Sequence, residues 1–170
     1  NLQLAVGAET GEITLFNTSV RGLATASAAV AERHVRQGLT TSCSVVPMRR
    51  LADICTEYAS KKDLHFLKID VEGFEEDVLK GMDLRLFRPW ILLIEATLPN
   101  SQEINIGWEP MILACDYQWV YFDGLNRYYL ANEHAELHRA FYAPPNVFDN
   151  FITAEQQRLN IQLHSALKTA

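Results

Sequence analysis

Three carboxylates stand where two apolar runs stop. Phe66-Leu67-Lys68-Ile69 gives way to Asp70, with Val71, Glu72 and Gly73 directly behind it. Trp90-Ile91-Leu92-Leu93-Ile94 gives way to Glu95. In open α/β sheets, ligands bind outside the carboxyl ends of the strands. Residues two apart on extended backbone point to the same side, so Asp70 and Glu72 can face one cleft. Carboxylates placed there can orient a hydroxyl or take its proton. Plainer roles compete: Glu72 as a cap on the following helix, where negative charge is favoured, and Glu95 in a structural hydrogen bond to a loop.

The elements that must position these acids are legible around them. Leu64 to Val71 reads as a buried strand. Gly73 permits a tight backbone turn. Phe74, Val78 and Met82 then recur every four residues with Leu79 beside them, which is a helical face. Trp90 to Ile94 is a second buried strand. The pattern predicts two parallel strands joined by a right-handed crossover, with Asp70, Glu72 and Glu95 clustered at one edge of the sheet.

The rest of the chain follows the same logic. Leu2–Val6 and Glu12–Phe16 are short strands. Thr25–Arg36 is an alanine-rich helix stopped at Gly38, and Ser44–Pro47 is a brief extended piece. Leu51, Ile54, Cys55 and Tyr58 mark a helical face. Pro99–Gly107 is a polar loop, and Trp108–Cys115 is a helix. Tyr117–Phe122 and Arg127–Leu130 flank Asp123-Gly124-Leu125-Asn126, a hairpin signal. Asn132–Phe141 reads as a helix, and Thr153 to Gln156 as a capping box opening a last one. Its Leu159, Leu163, Ala166 and Leu167 form a stripe. The stripe packs on its own domain or contacts another domain or subunit.

FLKIDVEGFEEDVLKG followed by RPWILLIEA resembles the signature of the FkbM-type methyltransferases, which are class I enzymes dependent on S-adenosylmethionine. VYFDGLNRYYLANEHAEL and APPNVFDNF resemble the carboxyl-terminal part of a bacterial subgroup. The resemblance runs from about Leu2 to Phe151. It implies an α/β fold with a Rossmann-like sheet, a last strand inserted antiparallel through a hairpin, and S-adenosylmethionine as cofactor. It implies Asp70 and Glu72 as catalytic residues bordering the donor methyl. By position, Glu95 at its strand end and Arg127 beside the hairpin are the candidate contacts to the acceptor, with turn chemistry as the plainer reading of the hairpin's polar residues. The acceptor that the resemblance implies is a small-molecule or glycan hydroxyl. The family opens with an acidic strand end and a glycine-rich loop. Here Val6-Gly7-Ala8-Glu9-Thr10-Gly11 follows Ala5 instead of an acid, and only 63 residues separate Gly7 from Asp70. Two strand–helix units of roughly 30 residues each do not fit comfortably between them. Ala5 to Phe16 is better read as a strand, a Gly-Glu turn and a second strand. The expectation is a partial methyltransferase domain over 1–152 with a terminal helix over 153–170. The amino-terminal strand–helix units and the cofactor's main cradle would lie upstream of Asn1, and the isolated chain would bind cofactor poorly.

Composition narrows the alternatives. At 170 residues, 48% hydrophobic and 21% charged, the chain is an ordinary globular domain. With a net charge of −6 and no basic cluster beyond Arg49-Arg50 and Lys61-Lys62, a nucleic-acid partner is disfavoured. No apolar run approaches ~18 residues, so no membrane span is expected. Cys43, Cys55 and Cys115 form neither a disulfide framework nor a zinc pattern, which fits a reduced, cytoplasmic protein. No metal-ligand spacing is present. His134 and His138 read as surface residues, and His65 as a buried hydrogen-bonded histidine beside the central strand. Lys68 is expected to pair with a carboxylate, while helix-dipole complementarity accounts for Glu75, Glu76 and Asp77. Two rivals remain. One is a non-catalytic binding domain on the same sheet. The other is a nucleotide-dependent dehydrogenase, weakened by the absence of G-x-G-x-x-G.

Overall fold

Asp70 and Glu95 end neighbouring strands. In the computed structural model, which describes residues 1–60, 62–149 and 151–169, strands β4 (Phe66–Ile69) and β5 (Ile91–Glu95) run parallel, with Leu67 opposite Leu92 and Ile69 opposite Ile94. Helix α3 (Glu75–Lys80) lies in the crossover between them, as the apolar periodicity predicts. Strands β6 (Tyr117–Phe122) and β7 (Asn126–Ala131) complete this sheet in the order β4-β5-β7-β6. β7 inserts antiparallel between β5 and β6. The tight turn is held by Asp123 Oδ1, which accepts the amides of Leu125 at 2.9 Å and Asn126 at 2.7 Å.

Side-chain alternation gives the sheet two different faces. Ile69, Leu92, Ile94 and Tyr129 point into the core, packed with Val78, Leu79, Trp108 and Ile112. Lys68, Leu93, Glu95, Asn126 and Tyr128 take the opposite face by register. The 3₁₀ segment Asn132–Phe141 lies against β6 and β7. There Phe141 approaches the Tyr128 ring, with centroids 5.9 Å apart.

A second sheet joins β1 (Ala5–Gly7), β2 (Gly11–Thr18) and β3 (Thr41–Arg50) in the order β1-β3-β2. β1 is parallel and β2 antiparallel to β3. β3 spans ten residues, whereas the sequence marks only Ser44–Pro47. Its side chains are half-buried at most, so no apolar run announces it; pairing on both sides supplies its order. Helices α1 (Ala28–Arg36, capped by Ser27) and α2 (Leu51–Ala59) flank this sheet. Gly81 ties the two halves together. A Cβ there would sit 1.9 Å from the Gly7 carbonyl oxygen, and the Gly81 carbonyl accepts the Ala52 amide at 2.9 Å.

Several expectations change. Strand β4 ends at Ile69, not Val71, so Glu72 is not on extended backbone. Asn132–Phe141 is 3₁₀ and kinked at His134, not a regular helix. His65 is exposed and meets the Trp90 ring edge-on at 4.5 Å, rather than being buried and hydrogen-bonded. Trp90 also stacks on His134, with centroids 4.3 Å apart. The remaining elements are helix α4 (Glu109–Leu113), a 3₁₀ turn at Val147–Asp149 and helix α5 (Ala154–Thr169). α5 opens with the reciprocal Thr153–Gln156 capping box. Its Leu159, Leu163 and Leu167 are exposed rather than packed on the domain. Among the described residues, no helix is long and apolar enough to cross a membrane.

Candidate functional site

The carboxylates of Asp70, Glu72 and Glu95 converge, with one oxygen from each lying within 4.8 Å of the others. Two of them arrive as the sequence implies. Asp70 follows the last residue of β4, and Glu95 is the last residue of β5. Glu72 arrives by another route. Its backbone turns left-handed at φ 55°, followed by Gly73 at φ 89°. Such a conformation in a non-glycine residue costs on the order of 1–3 kcal/mol and persists only where neighbours enforce it.

Those neighbours are Thr25 and Glu75. The buried Thr25 hydroxyl donates to the Glu72 carbonyl at 2.7 Å, across 47 positions of sequence. Thr25 is itself fixed by paired backbone bonds with Phe16. The buried Glu75 carboxylate accepts the amides of Val71 at 3.2 Å and Gly73 at 3.1 Å. It therefore holds the turn in addition to complementing the helix dipole, and Glu72 does not cap the helix. Val30 closes over Gly73, where a Cβ would meet Val30 Cγ2 at 2.7 Å. No spacing in the sequence marks Thr25 as a positioning residue. Glu75 is hidden among three consecutive acids that the dipole already explains.

The electrostatics are those of crowded acids. Burial pushes the Glu95 carboxyl up to about 8, with Glu72, Asp70 and Glu75 raising it further and Lys68 opposing them. Burial, then Asp70 and Glu75, push Glu72 up to about 7. Glu95 is only 6% exposed, and its Oε2 has no hydrogen-bond partner. Lys68 supplies the local cation, its Nζ lying 2.8 Å from Asp70 Oδ2. The expected pairing of Lys68 with a carboxylate is therefore present. Near neutral pH the Glu72 and Glu95 carboxyls share protons as a coupled pair. Such a pair can both donate to an oxygen and accept from it.

Beside Asp70 and Glu72 a cavity of about 720 Å³ opens between the β1-β3-β2 sheet and the turn after β4, walled by Leu4, Val6, Leu15, Val46 and Phe74. Its size and apolar lining suit a small organic molecule. Arg127 is not brought to this place. It lies across from Ile94 on the packed face, while Glu95 faces the other way. Its guanidinium pairs with Glu109, which also accepts the Tyr129 hydroxyl at 2.7 Å, and it covers the Trp119 ring. Gly7–Gly11 leads from β1 into β2, not into a helix.

Comparison with curated proteins and with solved structures yields no significant match. The family model described as the methyltransferase FkbM domain matches residues 1–140. That span contains both sheets, the carboxylate cluster and the cavity wall, and the chain therefore belongs to the FkbM methyltransferase domain family.

Proposed function

We propose that the chain forms the acceptor side of an S-adenosylmethionine-dependent O-methyltransferase. The observation that carries this reading is the convergence of Asp70, Glu72 and Glu95 beside an apolar cavity. Family membership supplies the reaction class. The β4-β5-β7-β6 order with an inserted antiparallel strand supports a class I, Rossmann-like sheet.

When bound, S-adenosylmethionine would supply an electrophilic methyl group to the acceptor hydroxyl, whose proton the carboxylate cluster would take. Asp70 and Glu72 border the reacting oxygen, with Glu72 poised to accept the proton near neutral pH. Glu95, protonated up to about pH 8, hydrogen-bonds the acceptor. Aligning donor and acceptor supplies most of the acceleration. The acceptor is a small-molecule or glycan hydroxyl, Arg127 acts on it only through the strand it anchors, and the setting is cytoplasmic. The Gly7–Gly11 turn is not the donor's cradle. Helix α5 (Ala154–Thr169) is a separate terminal helix for contact with another domain or subunit.

The test is transfer of labelled methyl from S-adenosylmethionine to a panel of sugars and polyols, by this chain and by longer natural forms of it. The expected result is acceptor-dependent release of S-adenosylhomocysteine, reduced at least 100-fold in Asp70→Asn at unchanged melting temperature. Absence of transfer by every form, or full activity in Asp70→Asn, would sink the reading. The rival of a non-catalytic binding domain predicts acceptor binding with no methyl transfer.

A further inference from the structure

We propose that Asp70, Glu72 and Glu95 form a binding site for one hard divalent cation of the magnesium, manganese or calcium class. Two independent features point to it. The first is the geometry of the cluster, in which one oxygen from each residue lies within 4.8 Å of the others. Hard cations hold oxygen ligands at about 2.0–2.6 Å, which places those oxygens roughly 3–5 Å apart around the ion. The three carboxylates are therefore already spaced as ligands of a single ion. An all-oxygen set selects these cations over zinc or copper.

The second feature is an unsatisfied buried acceptor. Glu95 is 6% exposed, and its Oε2 has no donor. Directly across the strand pair stands Asn126, 8% exposed, whose Oδ1 also lacks a donor. The Asn126 amide cannot simply be reversed to repair this, because its Nδ2 donates to Asp123 Oδ2 at 3.1 Å. Buried acceptors without donors are rare in folded proteins. Two on facing positions of one sheet face call for a positive partner. Lys68 supplies one charge but is engaged by Asp70.

The backbone is built to keep the ligands in place. Thr25 and Glu75 hold the left-handed turn that aims Glu72 into the cluster. Pinned supports of this kind are what orient ligating carboxylates in metal sites. The ion's role in chemistry rests on the methyl-transfer reading above: it would bind the acceptor oxygen and lower the pKa of its hydroxyl. The site itself does not depend on that reading.

The test is titration of the 170-residue chain with Mn²⁺, followed by loss of the free-ion paramagnetic resonance signal, without donor or acceptor present. One equivalent should bind with a Kd of about 10⁻⁵–10⁻³ M, displaced by Mg²⁺ or Ca²⁺. Glu95→Gln and Glu72→Gln should each weaken binding at least tenfold while melting no lower than wild type in EDTA. Glu76→Gln, an acid on α3 outside the cluster, should leave binding unchanged. No saturable site at millimolar Mn²⁺, or equal binding by wild type and both cluster variants, overturns the proposal. So does an equal loss in Glu76→Gln. Mn²⁺ binding without methyl transfer by any form of the protein refutes the methyltransferase reading alone. Full methyl transfer in EDTA, with no Mn²⁺ binding, refutes the metal site alone.

Discussion

Glu95→Gln should make the metal-free protein more stable, and the gain should grow with pH. Glu95 is nearly buried at the end of the central strand, and its carboxyl is pushed from 4.5 up to about 8. The folded state thus holds a proton that the unfolded chain releases above pH 4.5. Between pH 4.5 and about 8, the folded form binds more protons than the unfolded one, so stability falls as pH rises across that window. Below it the group carries no penalty; above it the penalty is complete. At ~1.4 kcal/mol per pH unit, the interval sets a ceiling of about 5 kcal/mol. Glu72 titrates in the same range, and Lys68 offsets part of the repulsion on Glu95. About 2 kcal/mol is therefore the expected gain at pH 9. Glutamine removes the charge and can donate its amide to the neighbouring carboxylates. Near pH 4, where glutamate is itself neutral, the two proteins should differ by less than ~0.5 kcal/mol. Urea unfolding followed by circular dichroism in EDTA, at pH 4 and pH 9, measures both values. An equal gain at the two pH values, or a less stable variant at pH 9, would refute the reasoning. The same substitution should abolish function, which is the trade expected of a site that stores repulsion for chemistry.

Further outcomes follow from individual contacts. Thr25→Val removes the bond to the Glu72 carbonyl and should cost about 1–2 kcal/mol in denaturant melts. It should lower Mn²⁺ affinity more than Thr25→Ser, which keeps the hydroxyl. Gly81→Ala should destabilise by more than ~3 kcal/mol or prevent folding, because the added methyl meets the Gly7 carbonyl; normal melting would disprove that close approach. Arg88→Lys should cost about 1–2 kcal/mol, since it loses the two-pronged pairing with Glu133 and the bond to the Cys115 carbonyl. The Arg88 guanidinium holds Glu133 down to about 2. That stabilisation is present above pH 4.5 and is lost as pH falls toward 2, so the deficit should shrink in acid. Calorimetric titration of the chain with S-adenosylmethionine should give binding weaker than millimolar; low-micromolar binding would restore Gly7–Gly11 as a working cofactor loop.

Periodicity and punctuation alone determined the strand–helix–strand unit, the hairpin at Asp123–Asn126 and the capping box at Thr153. These are local signals: apolar runs, a four-residue repeat and turn residues carry their own short-range physics. The placement of Asp70 and Glu95 was also legible, because parallel strands bring their carboxyl ends to one edge. What required the tertiary structure was everything joined across distance. Glu72 reaches the cluster through a left-handed turn enforced by Thr25, 47 residues away, not through strand alternation. Arg127 is turned to the packed face because β7 pairs with β5 in one register and not the next. The ten-residue β3 is ordered by partners on both sides, so its own side chains give little warning. The raised carboxyls of Glu72 and Glu95 belong to no single residue. They arise from burial and mutual repulsion, which exist only once the chain has brought the acids together.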